Sequence, residues 1–350
     1  MQAKKCLSGA SQSQSSLTIE DVFHVNVRTG TGVTTNIVTG IDGIGNDVLT
    51  WIKARSVSYG SSSSHCLFDT ARGAGQVLNT NSTSAECTYN SGFNSFNSDG
   101  FTLGADSSGW INYNTASEYV DYTFAKAPRF FDMVKYTGNG VAGREIPHNL
   151  GCDVGMIIVK RTDGAGNWYV QHISTGGTKT LFLDTTSAAT VRPDWGSVDA
   201  TDTHFTVSGD VTTGTNYDTF EYIAYLFAHD PLGASGDSSD GMIACGSYVG
   251  NGSVNSIDLG WEPQYLMVKA SSKTADWIIF DSMRGMTTGA TIASQYLSAN
   301  TSSSEATIYP PQFDSTGFTM NGDGNYFNTN AETYIYMAIR NGLNPLGITL

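Results

Sequence analysis

A chain of 350 residues with 39% apolar residues can bury several cores, yet only 14% of it is charged, well below the roughly 25% of an ordinary soluble domain. A net charge of −14 argues against binding nucleic-acid phosphates. No run of about 18 apolar residues reads as a membrane-spanning helix, and five cysteines (6, 66, 87, 152 and 245), odd in number and without a C-x-x-C pair, argue against a disulfide framework.

The first sixteen residues, MQAKKCLSGASQSQSS, carry two lysines with no apolar stretch behind them. They read as a flexible arm rather than a secretory signal. Thereafter five landmarks recur in one order, three times, about 110 residues apart, which marks an internal repeat. The first is VRTGTG (27–32), KYTGNG (135–140) and SYVGNG (247–252). The second places a lysine after apolar residues, in VLTWIKARS, MIIVKRTD and YLMVKASS, at Lys53, Lys160 and Lys269. Next come HCLFDTARG, NWYVQHIST and DWIIFDSMRG, then SDGFTLG, DTHFTVSG and STGFTMNG. Each copy closes on an aromatic run: EYVDYTFAKAP, EYIAYLFAHDP and TYIYMAIRNG.

Within a copy, short segments rich in Val, Ile, Tyr, Phe and Thr alternate with turn residues, and none shows a capped 3.6 period. This pattern predicts an all-β chain of three tandem β-sandwich repeats, of jelly-roll or lectin-like type, with about seven to nine strands each. An immunoglobulin-like sandwich is the second choice, since its Cys…Trp…Cys signature is missing. The expected divisions are an arm at 1–16, a first repeat at 17–128, a second at 129–231, and a linker with the third at 232–350. The linker, PLGASGDSSDG, should be more exposed than the tight KAPRF joint (126–130).

Gly138, Gly140 and Gly143 in KYTGNGVAG match the G-x-G-x-x-G spacing of dinucleotide sites. Pro147 and Gly151 deny the helix such a site needs, and the third glycine belongs to one copy only. The persistent G-x-G is expected to be hairpin turn chemistry.

Asp69 and Arg72 recur as Asp281 and Arg284, which suits a structural turn in which the arginine binds the carboxylate or backbone carbonyls. The six histidines show no metal-ligand spacing. The acidic loops DGAGN (163–167), GDSSDG (236–241) and NGDGN (321–325) match no full calcium loop and read as solvated turns. Cys66 and Cys87 can pair only if their strands are neighbours. Trp110, Tyr113 and Trp195, in loops with Asn and Asp, are candidate glycan contacts, because such rings stack on sugar C–H faces while amides and carboxylates bind hydroxyls. No nucleophile elbow, P-loop or paired-glutamate motif occurs, so the expectation is a non-enzyme needing no cofactor.

The phrases FDTARG, FNSDGFTLG, PHNLGCDVGMIIVKRTDGAGNWYV, YIAYLFAHD, CGSYVGNG, DLGWEPQYLMVK and DWIIFDSMRG together resemble a family of tailed-bacteriophage virion proteins, tail or tail-fibre-like, of marine and cyanobacterial phages. The resemblance runs from about residue 20 to near the end and carries over no catalytic residues. It implies a structural virion protein with a lectin-like sandwich domain. The accompanying expectations are assembly in the host bacterial cytoplasm, a homo-oligomer, other virion proteins and a host-surface glycan as partners, and no nucleic acid bound or membrane inserted. A purely structural capsid-decoration or tail-scaffold protein is the alternative, and a glycan depolymerase ranks third.

Overall fold

The structure, a computed structural model, describes residues 17–56, 63–114, 116–209, 214–286, 294–308, 311–322 and 327–342. The arm expected at 1–16 lies outside these residues. Within them the chain is all-β and antiparallel, apart from two single-turn 3-10 helices at Ile19–Asp21 and Ser282–Arg284.

The first stretch runs β1 (Phe23–Thr29), β2 (Thr35–Val38), β3 (Val48–Ala54), β4 (Cys66–Asp69), β5 (Gln76–Asn79), β6 (Cys87–Thr88), β7 (Phe93–Asn97), β8 (Gly100–Leu103) and β9 (Glu118–Ala125). It forms a six-stranded sheet of order β1-β9-β3-β4-β5-β6 and a small sheet, β2-β8-β7. The second runs β10 (Phe131–Thr137), β11 (Arg144–Pro147), β12 (Val154–Arg161), β13 (Trp168–His172), β14 (Lys179–Phe182), β15 (Thr190–Val191), β16 (His204–Val207) and β17 (Glu221–Ala228). Its sheets are β10-β17-β12-β13-β14-β15 and β11-β16. The third runs β18 (Ile243–Val249), β19 (Asn255–Asp258), β20 (Pro263–Ala270), β21 (Trp277–Asp281), β22 (Ser294–Ser298), β23 (Ala306–Ile308), β24 (Pro311–Asp314), β25 (Gly317–Met320) and β26 (Thr333–Arg340). Its sheets are β18-β26-β20-β21-β22-β23 and β19-β25-β24. The three six-stranded sheets therefore share one strand order.

Every residue of β3 is buried, and β9, β12, β17 and β20 are nearly so. That explains apolar runs without strict alternation, because both faces of these strands are covered. In the first sheet, Ile52, Phe68 and Tyr119 pack against Phe93, Phe101 and Leu103 of the small sheet. The opposite face contributes Leu49, Trp51, Tyr122 and Phe124 to a core that continues through Met156, Tyr225 and Phe227 to Tyr265, Met267 and Ile339. Phe124 meets Phe227 at 5.5 Å between ring centroids, and Tyr122 meets Tyr265 at 5.1 Å, so the sheets share one interior.

The G-x-G turns differ from the hairpins expected. β1 pairs with β9, whereas β2 pairs with β8 in the small sheet, so the turn carries the chain from one sheet to the other. A Cβ on the first glycine would lie 2.3 Å from Tyr113 O at Gly30, 1.8 Å from Tyr217 O at Gly138 and 2.1 Å from Thr329 O at Gly250. The second glycine has φ of 67° in all three copies, at Gly32, Gly140 and Gly252. Buried asparagines clasp these turns. Asn112, Asn216 and Asn328 accept at Oδ1 from the N–H of Thr31, Asn139 and Asn251 and donate from Nδ2 to the carbonyls of Val33, Val141 and Ser253.

PLGASGDSSDG is largely exposed, whereas KAPRF keeps Ala127 and Phe130 buried. Arg129, at φ 64°, donates to Asp230 and to Gly233 O, which ties the two segments together.

Candidate functional site

The chemistry-bearing side chains gather where one sheet meets the next. Asp69 ends β4, and the turn behind it brings Arg72 back. Arg72 Nε donates to Asp69 Oδ2 at 2.6 Å, its backbone N–H to Oδ1 at 2.8 Å, and its Nη2 to Leu67 O at 3.0 Å. The second sheet completes the group, as Tyr225 OH donates to Asp69 Oδ2 at 2.7 Å. The same geometry recurs between the first and third sheets. Arg284 donates to Asp281 Oδ2 at 2.6 Å and to Ile279 O at 3.1 Å, and Tyr122 OH of the first sheet reaches Asp281 Oδ2 at 2.7 Å.

These groups are buried. Burial alone would lower the guanidinium pKa values, but for Arg72 the neighbouring Tyr225 and Asp69, and for Arg284 the neighbouring Asp281 and Tyr122, raise them. Burial holds the Tyr122 and Tyr225 hydroxyls protonated, well above the usual phenol range, so they serve as donors. Both oxygens of each carboxylate are engaged by fixed, buried donors, three in all, which leaves no exposed face for a substrate. The arrangement clamps sheets together.

Lys53, Lys160 and Lys269 are buried at matching places in β3, β12 and β20. Each ammonium is solvated by backbone carbonyls, one of them across a joint. Lys53 reaches Ser63 O at 2.7 Å and Ser302 O at 3.3 Å. Lys160 reaches Gly166 O at 2.7 Å and Thr83 O at 3.0 Å, and Lys269 reaches Ala275 O at 2.8 Å and Thr186 O at 3.0 Å. Burial brings each down to about 8.

Trp168 Nε1 and Trp277 Nε1, which face Lys160 and Lys269 in register, also donate across their joints, to Asn79 O and Phe182 O. Backbone bonds run alongside, from Gly166 to Thr83, Ala275 to Thr186 and Glu305 to Arg55. The first sheet touches the second, the second the third and the third the first. The three close into a ring.

The aromatic residues read as glycan contacts fare unequally. Trp195 is fully buried in the shared core, so its ring presents no face to a sugar; the loop around Pro193 and Gly196 folds inward. Trp110 is half-buried and stacks on Tyr89, with centroids 4.7 Å apart. Tyr113 is also half-buried, in the same side cluster, and its N–H donates to Tyr119 OH. The structure thus brings Trp110 and Tyr113 together and places Trp195 elsewhere.

Cys66 is buried, Cys87 is exposed, and both are free thiols. Among the described residues no cluster of three or more His, Cys, Asp or Glu side chains could hold a metal ion, and no helix is long and apolar enough to cross a membrane. Of the acidic loops, NGDGN lies partly outside the described residues.

Two clefts lie near the joints. One, of about 540 Å³, lies between the first and second sheets beside Lys126, which bridges Asp47 at 3.3 Å and Asp132 at 3.0 Å. The other, of about 210 Å³, is lined by Asp153, Gln171, His172 and Asp199. Neither combines an apolar wall with convergent unpaired polar groups, the usual mark of a small-molecule site.

No curated protein matches the chain. A family described as "Domain of unknown function (DUF7483)" matches residues 19–342, nearly the whole described length. The chain belongs to this DUF7483 family.

Proposed function

We propose that the protein is a structural component of a tailed-phage virion, tail or tail-fibre-like, built from three tandem β-sandwich repeats of jelly-roll or lectin-like type at 17–128, 129–231 and 232–350. The observation that carries the structural part is the use of buried chemistry at the joints. Two Asp–Arg–Tyr groups and three carbonyl-bound lysines, all buried, tie sheet to sheet. A rigid ring suits a particle part that bears load. The virion assignment rests on the resemblance of the repeated phrases. Other virion proteins are the expected partners, and the virion, assembled in the bacterial cytoplasm, is the expected location.

Host contact is the second reading, and one observation favours it: half-buried Trp110, stacked on buried Tyr89, with half-buried Tyr113 in the same cluster. With Trp195 buried, holding is the better-supported role. Immunogold labelling of purified particles with an antibody to this chain tests the main reading. Gold at a fixed place on the tail supports it, gold on the head moves the choice to a capsid-decoration protein, and unlabelled particles contradict both. Loss of host-cell binding by clustered protein carrying Trp110→Ala would establish the second reading.

A further inference from the structure

The three joints are not chemically alike. The residues corresponding to Asp69 and Asp281 can be found by register: Asp69 faces Leu49 and Asp281 faces Tyr265, each four residues before the buried lysine. In the second sheet that position, opposite Met156, is His172, and Thr175 stands where Arg72 and Arg284 stand. From the third sheet Met337, opposite Met267, takes the place of Tyr122 and Tyr225. The joint between the second and third sheets therefore lacks the ion pair and the tyrosine hydroxyl.

Two histidines bridge it instead. His172 Nδ1 accepts the Ser174 N–H at 3.2 Å, and its Nε2 lies 3.0 Å from Tyr336 O in β26. A carbonyl can only accept, so Nε2 carries the proton and the ring is neutral. His229 Nδ1 accepts the Cys245 N–H of β18 at 3.1 Å. In both rings a second proton would point at a backbone N–H.

We propose that this joint is an acid-labile seam, at which protonation of His172 and His229 opens the ring while the two Asp–Arg–Tyr joints stay closed. The groups facing the pair are few. Asp153 and Asp199 share the cleft with His172, His229 lies near enough to oppose its charging, and the Tyr336 ring and the Cys245 thiol remain neutral. Around His229 stand Asp153 and Asp230, the latter held by Arg129, and burial outweighs their pull. Burial brings His172 down to about 4, so stability at the seam falls as the pH drops from about 6.5 toward 4. His65 lies in the first sheet toward its joint with the third and accepts from Trp51 Nε1. Burial and the cations of Lys53 and Arg284 lower its pKa, so acid weakens that joint too, but there the Asp281–Arg284–Tyr122 group still ties the sheets together. His148 bonds between loops of the second stretch, to Leu150 and Thr201, and His24 lies on β1 near Asp121.

The native thiols report on this. Cys245 is buried at the seam, Cys66 is buried beside His65, and Cys87 is exposed. The full chain is labelled with a dipyridyl disulfide between pH 7 and pH 4.5, and each cysteine is quantified by peptide mass spectrometry against the urea-unfolded chain. The Cys245 rate, normalised in this way, should rise at least tenfold by pH 5 while Cys66 stays protected. His172→Gln with His229→Gln keeps the neutral donor and acceptor pattern and should abolish the rise. Joint reaction of Cys66 and Cys245, no acid-dependent reaction of Cys245, or an unchanged rise in the glutamine variant overturns the proposal. If that variant does not fold, the wild-type contrast between Cys245 and Cys66 decides alone.

Discussion

Asp281→Asn should destabilise the chain far more than a change of one carboxylate suggests. In the native joint Asp281 accepts from Arg284 Nε at 2.6 Å, from the Arg284 backbone N–H at 2.9 Å and from Tyr122 OH at 2.7 Å, and both members of the pair are fully buried. Asparagine removes the charge and turns an amide N–H toward these donors, leaving a buried guanidinium uncompensated. Breaking a buried pair from one side costs about 3–5 kcal/mol. Glu305, 3.3 Å from Arg284 Nη1, offsets part of this, so about 3 kcal/mol is expected. Asp163→Asn is the control, because the Asp163–Arg161 pair is as close, at 2.7 Å, but partly exposed; it should cost under about 1 kcal/mol. The double change Asp281→Leu with Arg284→Met should cost less than the sum of the two single changes by more than about 2 kcal/mol, since no lone charge remains. Urea unfolding of the full chain, followed by tryptophan fluorescence and circular dichroism, measures all five variants. Equal losses for Asp281→Asn and Asp163→Asn, or strict additivity in the double variant, would refute the reasoning.

The buried lysines should appear in the pH dependence of stability. Lys269 sits at about 8 in the fold against the usual 10.5, so over that window the unfolded chain holds the extra proton and stability rises with pH, by about 1.4 kcal/mol per pH unit. Lys269→Met should therefore show a deficit that grows between pH 8 and pH 9.5, and a constant deficit would mean that the lysine does not titrate there. Gly138→Ala puts a Cβ 1.8 Å from Tyr217 O and should cost about 2–4 kcal/mol, whereas Gly166→Ala, with its nearest neighbour at 3.6 Å, should cost under about 1 kcal/mol; thermal melts separate the two. Tyr122→Phe removes one donor from Asp281 and one acceptor from Arg284, a loss of about 1–3 kcal/mol in the urea assay. An unchanged midpoint would show that the hydroxyl is dispensable.

Local features of this fold were legible in the chain, and long-range ones were not. Strand content followed from β-rich segments between turn residues. The Asp–Arg turns were readable because residues three apart form the whole local contact. The tyrosine that completes each group was not, since Tyr225 and Asp69 are 156 residues apart. The same holds for the asparagine clasp, in which Asn112 serves a turn 81 residues earlier and is one polar residue in a polar loop. Lys53, Lys160 and Lys269 stood out as repeated, but a lysine after apolar residues normally ends a strand at the surface; here carbonyls from the neighbouring sheet receive it. Trp195 misled because Pro193, Asp194 and Gly196 spell a surface loop. In the structure buried Asp194 takes Thr180 Oγ1 and Arg192, and the loop turns its tryptophan inward.

As proposed above, this chain would form a closed three-sheet block within a virion. A cryo-electron microscopy map of the intact native particle tests it most directly. The expected result is a three-lobed density at a fixed tail position into which the ring fits with Lys53, Lys160 and Lys269 each at a joint between lobes. Particles without that density, or a density whose three lobes are separated in a line, would contradict it.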